Sequence, residues 1–322
     1  MKWIIKCPAP GGYSQRNWGD LHFARSLARQ LEKLGCEVVV QNQPDWTEGE
    51  DDADAVLLIR GKYAYEPRNP DAINIMWVLS HPENVTHEEF ENFDINCIAS
   101  TKYARQLQAH YGREKVMPLL QCTDTGEYPE TELLPASARR EVIFVGNSRN
   151  VERWYVLEHV REGLPLKIWG TGWEPWPEVK QRVAGKHVEN QRIGKLYGSA
   201  RATLNDHWPD MASYGFINNR VFDALACGLP IISDYLPELD EMFGDAIHYY
   251  RKDEPIRTAF SDFDRNYARQ FDKVQSLAAS VARKHSFAAR ADELLSSVYR
   301  HRQQRFGGSI AMVFHRLRRR WS

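Results

Sequence analysis

Short apolar runs alternate with amphipathic stripes along almost the whole chain. Residues 3–7 read as a strand. Leu21, Ala24, Leu27, Ala28, Leu31 and Leu34 then fall on one helical face, Gly35 ends that helix, and 37–41 is the next strand. A strand, a helical crossover and a second strand form a right-handed unit whose strands run parallel. More strands are predicted over 55–59, 73–79, 94–99 and 116–120, with a helix over 102–110. Residues 123–140 carry Gly126, Pro129 and Pro135, show no period, and read as a link. A second series follows: strand 141–145, helix 151–160, strand 166–169, helix 193–199 and strand 202–205. Residues 214–234, YGFINNRVFDALACGLPIISD, read as loop, helix, turn and strand. Phe216, Ile217, Val221, Phe222 and Leu225 recur at helical spacing, and Cys227-Gly228 ends the helix before Pro230. A strand over 246–250 and a long helical region over 264–304, broken near His285-Ser286, complete the pattern. The alternation predicts an α/β protein with one domain over 1–124, a linker over 125–140, a second domain over 141–285, a terminal helix over 286–306 and a separate tail over 307–322.

Composition narrows the function classes. A chain of 322 residues with 43% hydrophobic and 26% charged content is a globular composition of two-domain size. A formal net charge of −1 argues against a general affinity for nucleic acid. The cysteines at 7, 36, 97, 122 and 227 form no CxxC and read as buried thiols of a reducing cytosol. The first strand is too short for a signal peptide, and no apolar run approaches the roughly 20 residues of a membrane span. Asp52-Ala-Asp54 has the form of a metal-binding DxD, but it precedes a strand within an acidic run and reads as a solvated loop. No His/Cys cluster offers a metal site, so neither metal nor cofactor is expected.

Candidate chemistry gathers at strand ends, where ligands of open α/β sheets sit. Asn218, Asn219 and Arg220 crowd a helix start, whose free N–H groups and dipole favour phosphate, and Asp223 one turn on can accept a ribose hydroxyl. A plainly capped helix explains the same residues. His81, beside Glu83 at a strand end, suits a general base or a cap. Asp20 suits an N-cap or a cleft carboxylate. His207 suits strand-end packing or a substrate contact. In the tail, Ile310, Val313, Phe314, Leu317 and Trp321 share a stripe beside Arg316, Arg318, Arg319 and Arg320, the composition of an interfacial membrane helix.

The stretch NRVFDALACGLPIISD resembles the donor-site helix of GT-B glycosyltransferases, in the form of the spore-maturation-like (CgeB-like) branch related to family 4. Arg220, Phe222, Ala224, Ala226, Cys227, Gly228, Pro230, Ile232 and Ser233 match that pattern, Asp223 replaces its glutamate, and Gly215 stands where the paired acid is usual. The FVGNS turn at 144–148 and the Gly170-Thr171-Gly172 turn fit the start of the family's second domain. The resemblance implies two Rossmann-like domains facing across a cleft, with the terminal helix crossing back to the first. It implies transfer of a sugar from a nucleotide-sugar to a glycan or lipid-linked acceptor in bacterial surface-polysaccharide assembly. Gly11, Gly12, Arg149, Arg153, Asn219 and Arg220 would meet the donor diphosphate. Gly146, Asn147, Ser148, Gly170, Thr171, Gly172 and Asp223 would meet the nucleoside. His207, Tyr214, Gly215 and Asn218 would complete the cleft, with His81 or Asp20 as the catalytic base. An epimerase of the same fold, or a binding module without turnover, also fits. The expected location is cytoplasmic, with the tail on an anionic membrane.

Overall fold

A computed structural model describes residues 1–11, 18–124, 134–251 and 253–306. The expectations for Gly12, for much of the link and for the tail fall outside the described residues. The first half runs β1 (Lys2–Cys7), α1 (Gly19–Lys33), β2 (Glu37–Asn42), β3 (Ala55–Arg60), β4 (Ile73–Val78), α2 (His87–Asn92), β5 (Ile95–Ile98), α3 (Thr101–Tyr111) and β6 (Val116–Pro118). These strands form a parallel sheet in the order β2-β1-β3-β4-β5-β6. Trp3 on β1 sits opposite Val38 on one side and Ala55 on the other. β3 and β4 are buried along their whole length, as continuous apolar runs covered on both faces must be.

The second half runs β7 (Val142–Val145), α4 (Trp154–Arg161), β8 (Lys167–Trp169), α5 (Pro177–Lys180), β9 (Val183–Gly185), α6 (Asn190–Ser199), β10 (Ala202–Asn205), α7 (Pro209–Ser213), α8 (Asn219–Ala226), β11 (Ile231–Asp234), α9 (Pro237–Phe243) and β12 (Ile247–Tyr250). Helices α10 (Ile256–Arg265), α11 (Tyr267–Lys284) and α12 (Phe287–Phe306) follow. The second sheet is also parallel, ordered β12-β11-β10-β7-β8-β9. Counted from β7, this is the doubly wound order 3-2-1-4-5-6, whose direction reverses between β7 and β10. The architecture is therefore the two-domain α/β GT-B fold.

Several local expectations are corrected. The helix expected over 151–160 begins at Trp154, because Arg153, at φ −95° and ψ 86°, is its non-helical N-cap; the turn before it holds Arg149 and Asn150 at positive φ angles of 56° and 58°. Trp18, not Asp20, is the N-cap of α1, and Asp20 lies inside the first turn. The helical region expected from 264 begins earlier, at Ile256, and breaks twice, at Asn266 and at His285. The second break is stitched to the first domain. Thr123 N–H donates to the His285 carbonyl at 2.8 Å, and Phe287 N–H donates to the Thr123 carbonyl at 3.2 Å. Beyond it α12 lies on α1, with Phe287 edge-on to Phe23 at 4.7 Å between ring centroids.

The segment around α7 reaches into the first domain, where Met211 and Phe216 join its core. The Ser100 hydroxyl donates to the Tyr214 carbonyl at 2.6 Å, and Lys102 pairs with Glu238 at 3.4 Å. These contacts hold the two sheets around a cleft at their carboxyl ends.

Candidate functional site

The cleft encloses about 400 Å³ and lies over the β7/β10 reversal of the second sheet. Its second-domain wall is built from two turns and a helix start. Gly146 after β7 and Gly170 after β8 approach so closely that a Cβ on Gly170 would lie 2.1 Å from the Gly146 carbonyl oxygen. Gly170 also has φ 153°, so only glycine allows the approach without strain. Gly146 N–H donates to the Trp169 carbonyl at 2.8 Å, and Ser148 N–H donates to the Thr171 carbonyl at 3.0 Å. Thr171 donates to Asn147 Oδ1 from both its N–H, at 2.8 Å, and its hydroxyl, at 3.1 Å. The Ser148 hydroxyl donates to the Gly172 carbonyl. The turns thus form one rigid shelf. Gly146, Asn147 and Gly170 line the cleft, whereas Ser148, Thr171 and Gly172 brace the shelf beside it.

Three arginines stand on this shelf. Arg220, at the start of α8, donates from Nε to the Val145 carbonyl and from Nη1 to Asn205 Oδ1, each at 3.0 Å, over the Phe144 ring. Its Nη2 lies against Gly146, where a Cβ would come within 2.8 Å, and no acceptor among the described residues takes it. Burial lowers the Arg220 pKa, Arg153 adds repulsion and Asp206 offsets both in part. Arg153 donates from Nε to Asp206 Oδ2 at 2.7 Å, from Nη2 to Asp206 Oδ1, and from Nη1 to the Asn147 carbonyl at 3.0 Å. Each of its nitrogens is therefore engaged by protein. Arg149 rests 5.4 Å from the Trp208 ring, and no hydrogen bond or ion pair with a described residue engages its guanidinium. On this wall the cations able to meet an anion in the cleft are Arg149 and Arg220; Lys186 lines the cleft beyond it.

At the helix start, Asn218 is the N-cap and its Nδ2 donates to the Asp206 carbonyl at 3.0 Å. Asn219 N–H does not point to free space: the Gln121 Oε1 of the first domain accepts it at 2.8 Å, while Gln121 Nε2 donates to the Leu79 carbonyl. Asp223 lines the cleft one turn on, with Asn219 Nδ2 at 3.3 Å.

The first domain contributes Asp20, which faces the arginine wall. Desolvation raises the Asp20 pKa, while Arg149 and His81 pull it back. His81 is placed differently. Held at φ 53°, its Nδ1 sits 3.3 Å from Asp210 Oδ2, so it belongs to the contact between domains and not to the cleft lining. His207 also turns aside: its Nδ1 is 2.8 Å from Asp234 Oδ1 and its side chain is fully buried. Tyr214 packs on Tyr103 with 4.6 Å between ring centroids, and Gly215 abuts Glu238, where a Cβ would meet the carboxyl carbon at 2.6 Å. Both are away from the cleft lining, as is Gly11. The DxD carboxylates are paired, Asp52 with Lys2 and Asp54 with Arg302.

The structure adds lining residues that the sequence pattern does not single out. Lys186, His187 and Val188 follow β9, and Asn190 opens α6. Asp206, next to the expected strand end, is the hub of the arginine cluster.

Residues 149–296 match the family model described as glycosyl transferase-like. No curated protein sequence matches the chain. Among solved structures, AviGT4, a glycosyltransferase involved in avilamycin A biosynthesis, is 16% identical with a TM-score of 0.61, over 93% of this chain and 97% of that one. Anabaena HepE in complex with UDP and glucose is 10% identical with a TM-score of 0.64, over 93% and 99%. A putative UDP-N-acetylglucosamine 2-epimerase from Listeria monocytogenes is 9% identical with a TM-score of 0.56, over 94% and 97%. At these identities the likeness is one of fold.

Proposed function

We propose that the chain is a metal-independent glycosyltransferase that moves a sugar from a nucleotide-sugar to a carbohydrate or lipid-linked acceptor, in assembly of bacterial surface polysaccharide. The observation that carries this reading is the glycine-built shelf at the β7/β10 reversal, with Arg149 and the Arg220 Nη2 turned to the cleft and Asp20 opposite. The glycosyl transferase-like match over residues 149–296 and the UDP in the HepE structure support the same assignment. The two arginines stabilise the diphosphate as charge develops on it, the role a metal ion fills in other sites. Asp223 accepts a ribose hydroxyl. Asp20, with its raised pKa, takes the acceptor proton, and His81 orients the domain contact. The resemblance to the CgeB-like branch supports the assignment of α8 as the donor helix. The protein works in the cytoplasm, and its basic tail rests on the anionic membrane face. No helix among the described residues is long and apolar enough to cross a membrane.

An epimerase has one specific observation in its favour, the likeness to the Listeria structure. A binding module is favoured by Gly215, where the usual second acid is absent and Glu238 fills the space. Thermal-shift screening of nucleoside diphosphates tests the donor site. A ligand at a hundred times its Kd stabilises by about 2.7 kcal/mol. No shift with any nucleoside diphosphate would refute the assignment. Chromatography of products from nucleotide-sugars then separates transfer from epimer formation and from bare binding.

A further inference from the structure

Asp206 carries a role that neither the sequence pattern nor the proposed activity assigns. It follows β10 at the β7/β10 reversal, and its residue surface is 9% exposed. Its carboxylate takes Arg153 in bidentate form, and Arg220 Nη1 lies 3.8 Å from the same Oδ1. Its backbone carbonyl holds the α8 N-cap, Asn218, at 3.0 Å. Among the described residues no other acid pairs with either guanidinium. The buried Arg153 and the largely buried Arg220 both overlie the Phe144 ring, at 5.2 Å and 4.6 Å, and without the Asp206 carboxylate they would repel each other there. One carboxylate shared by two guanidiniums leaves a positive charge on the wall while fixing where it points.

We propose that Asp206 is a positioning residue: with Arg153 it forms a buried brace that aims Arg220 and the α8 start at the diphosphate of the donor. The inference rests on the cleft being the donor site. Arg153 acts through this brace, because its nitrogens are spent on Asp206 and Asn147. Arg220 keeps Nη2 for the ligand, against a Gly146 that leaves no room for a side chain. Asparagine at 206 would present an amide N–H to a guanidinium N–H, so one arm of the bidentate pair is lost and the cations separate.

The test measures, in the full chain, the affinity of the nucleoside diphosphate that binds best, of its parent nucleoside and of inorganic pyrophosphate. The variants are D206N, R153Q and D206N/R153Q, with melting checked for each. A brace predicts that all three bind the diphosphate and pyrophosphate at least tenfold more weakly, that the double variant is no worse than the worse single one, and that nucleoside affinity is unchanged. Charge alone predicts that D206N binds tighter, R153Q weaker and the double variant like wild type, and that result overturns the proposal. A purely structural role lowers melting and leaves diphosphate affinity intact, which overturns it as well. If D206N does not fold, R153Q decides, since it keeps the acid paired with Arg220: wild-type diphosphate affinity in R153Q refutes the brace. Failure of the wild type to bind any nucleoside diphosphate or pyrophosphate refutes the donor site itself, and is thereby distinguished from failure of the brace alone.

Discussion

Replacing Gly170 with alanine is the sharpest perturbation of the shelf. The new Cβ would sit 2.1 Å from the Gly146 oxygen, 2.6 Å from its carbonyl carbon and 3.1 Å from Asn147 N. All three neighbours are backbone, so no flexible side chain can yield, and the two turns must part by about 1 Å to reach ordinary contact. That movement breaks the hydrogen bonds of 2.8 Å and 3.0 Å from Gly146 and Ser148, the 2.8 Å bond from Thr171, and the Ser148 hydroxyl bond to Gly172. At about 1 kcal/mol each, the loss is about 3–4 kcal/mol. For a domain of this size that lowers the melting temperature by about 10 °C. Gly163 supplies the control. Its φ is 68°, but a Cβ there meets nothing within 4 Å, so its replacement costs only the left-handed strain of about 1–2 kcal/mol. The assay is calorimetric melting of both variants, followed by titration with nucleoside diphosphate. Because Arg220 leans on Gly146 and Arg149 rides on the same turn, Gly170→Ala should also weaken binding at least tenfold, while Gly163→Ala should not. Equal melting losses and unchanged binding in both variants would refute the shelf.

Arg149→Ala and Arg220→Ala should each weaken nucleoside-diphosphate binding by about 1.5–3 kcal/mol, the range for hydrogen bonds to charged groups, as read by titration calorimetry. Asp223→Asn should bind ribo- and deoxyribonucleotides with more equal affinity than wild type. Burial of His159 between Tyr250 and the Pro165 carbonyl lowers its pKa to about 4. In the unfolded chain the ring takes its proton near 6.5, so stability should fall as pH drops from about 6.5 toward 4, by up to about 3 kcal/mol. Urea melts at pH 7 and pH 4.5 should show this loss, and His159→Gln should reduce it. The full chain should co-sediment with anionic vesicles at low salt and a chain ending at Phe306 should not, while both bind nucleotide.

The sheets were legible because their strands are apolar runs bounded by glycine and polar turns, as with the run ending at Val145 before Gly146-Asn147-Ser148, whereas the run expected at Leu229 to Ile232 is the strand Ile231–Asp234, two residues further on. The strand β9 was not, because Val183-Ala184-Gly185 is too short to show a period, and the cleft residues Lys186 to Asn190 after it stayed hidden with it. Helices α5, α7 and α9 each begin with proline and run no longer than seven residues, below the length at which a stripe repeats. Arg149, Arg153 and Arg220 could be named from their places at a turn and a helix start. Their division of labour could not, since it depends on Asp206, whose carboxylate meets Arg153 only when β10 and β7 lie side by side. The same limit applies to His81 and His207. Each follows a strand, yet their partners Asp210 and Asp234 lie far along the chain or on the neighbouring strand.

One measurement tests the central claim most directly. The purified chain is incubated with UDP-, GDP- and ADP-sugars in the presence of a chelator, with and without candidate glycan or lipid-linked acceptors, and free nucleoside diphosphate is followed over time. A glycosyltransferase of the kind proposed releases nucleoside diphosphate from one donor, faster with an acceptor present, with the sugar recovered on that acceptor and no requirement for magnesium or manganese. Recovery of an epimerised nucleotide-sugar, binding with no release from any donor, or release only after a divalent metal is restored would contradict it.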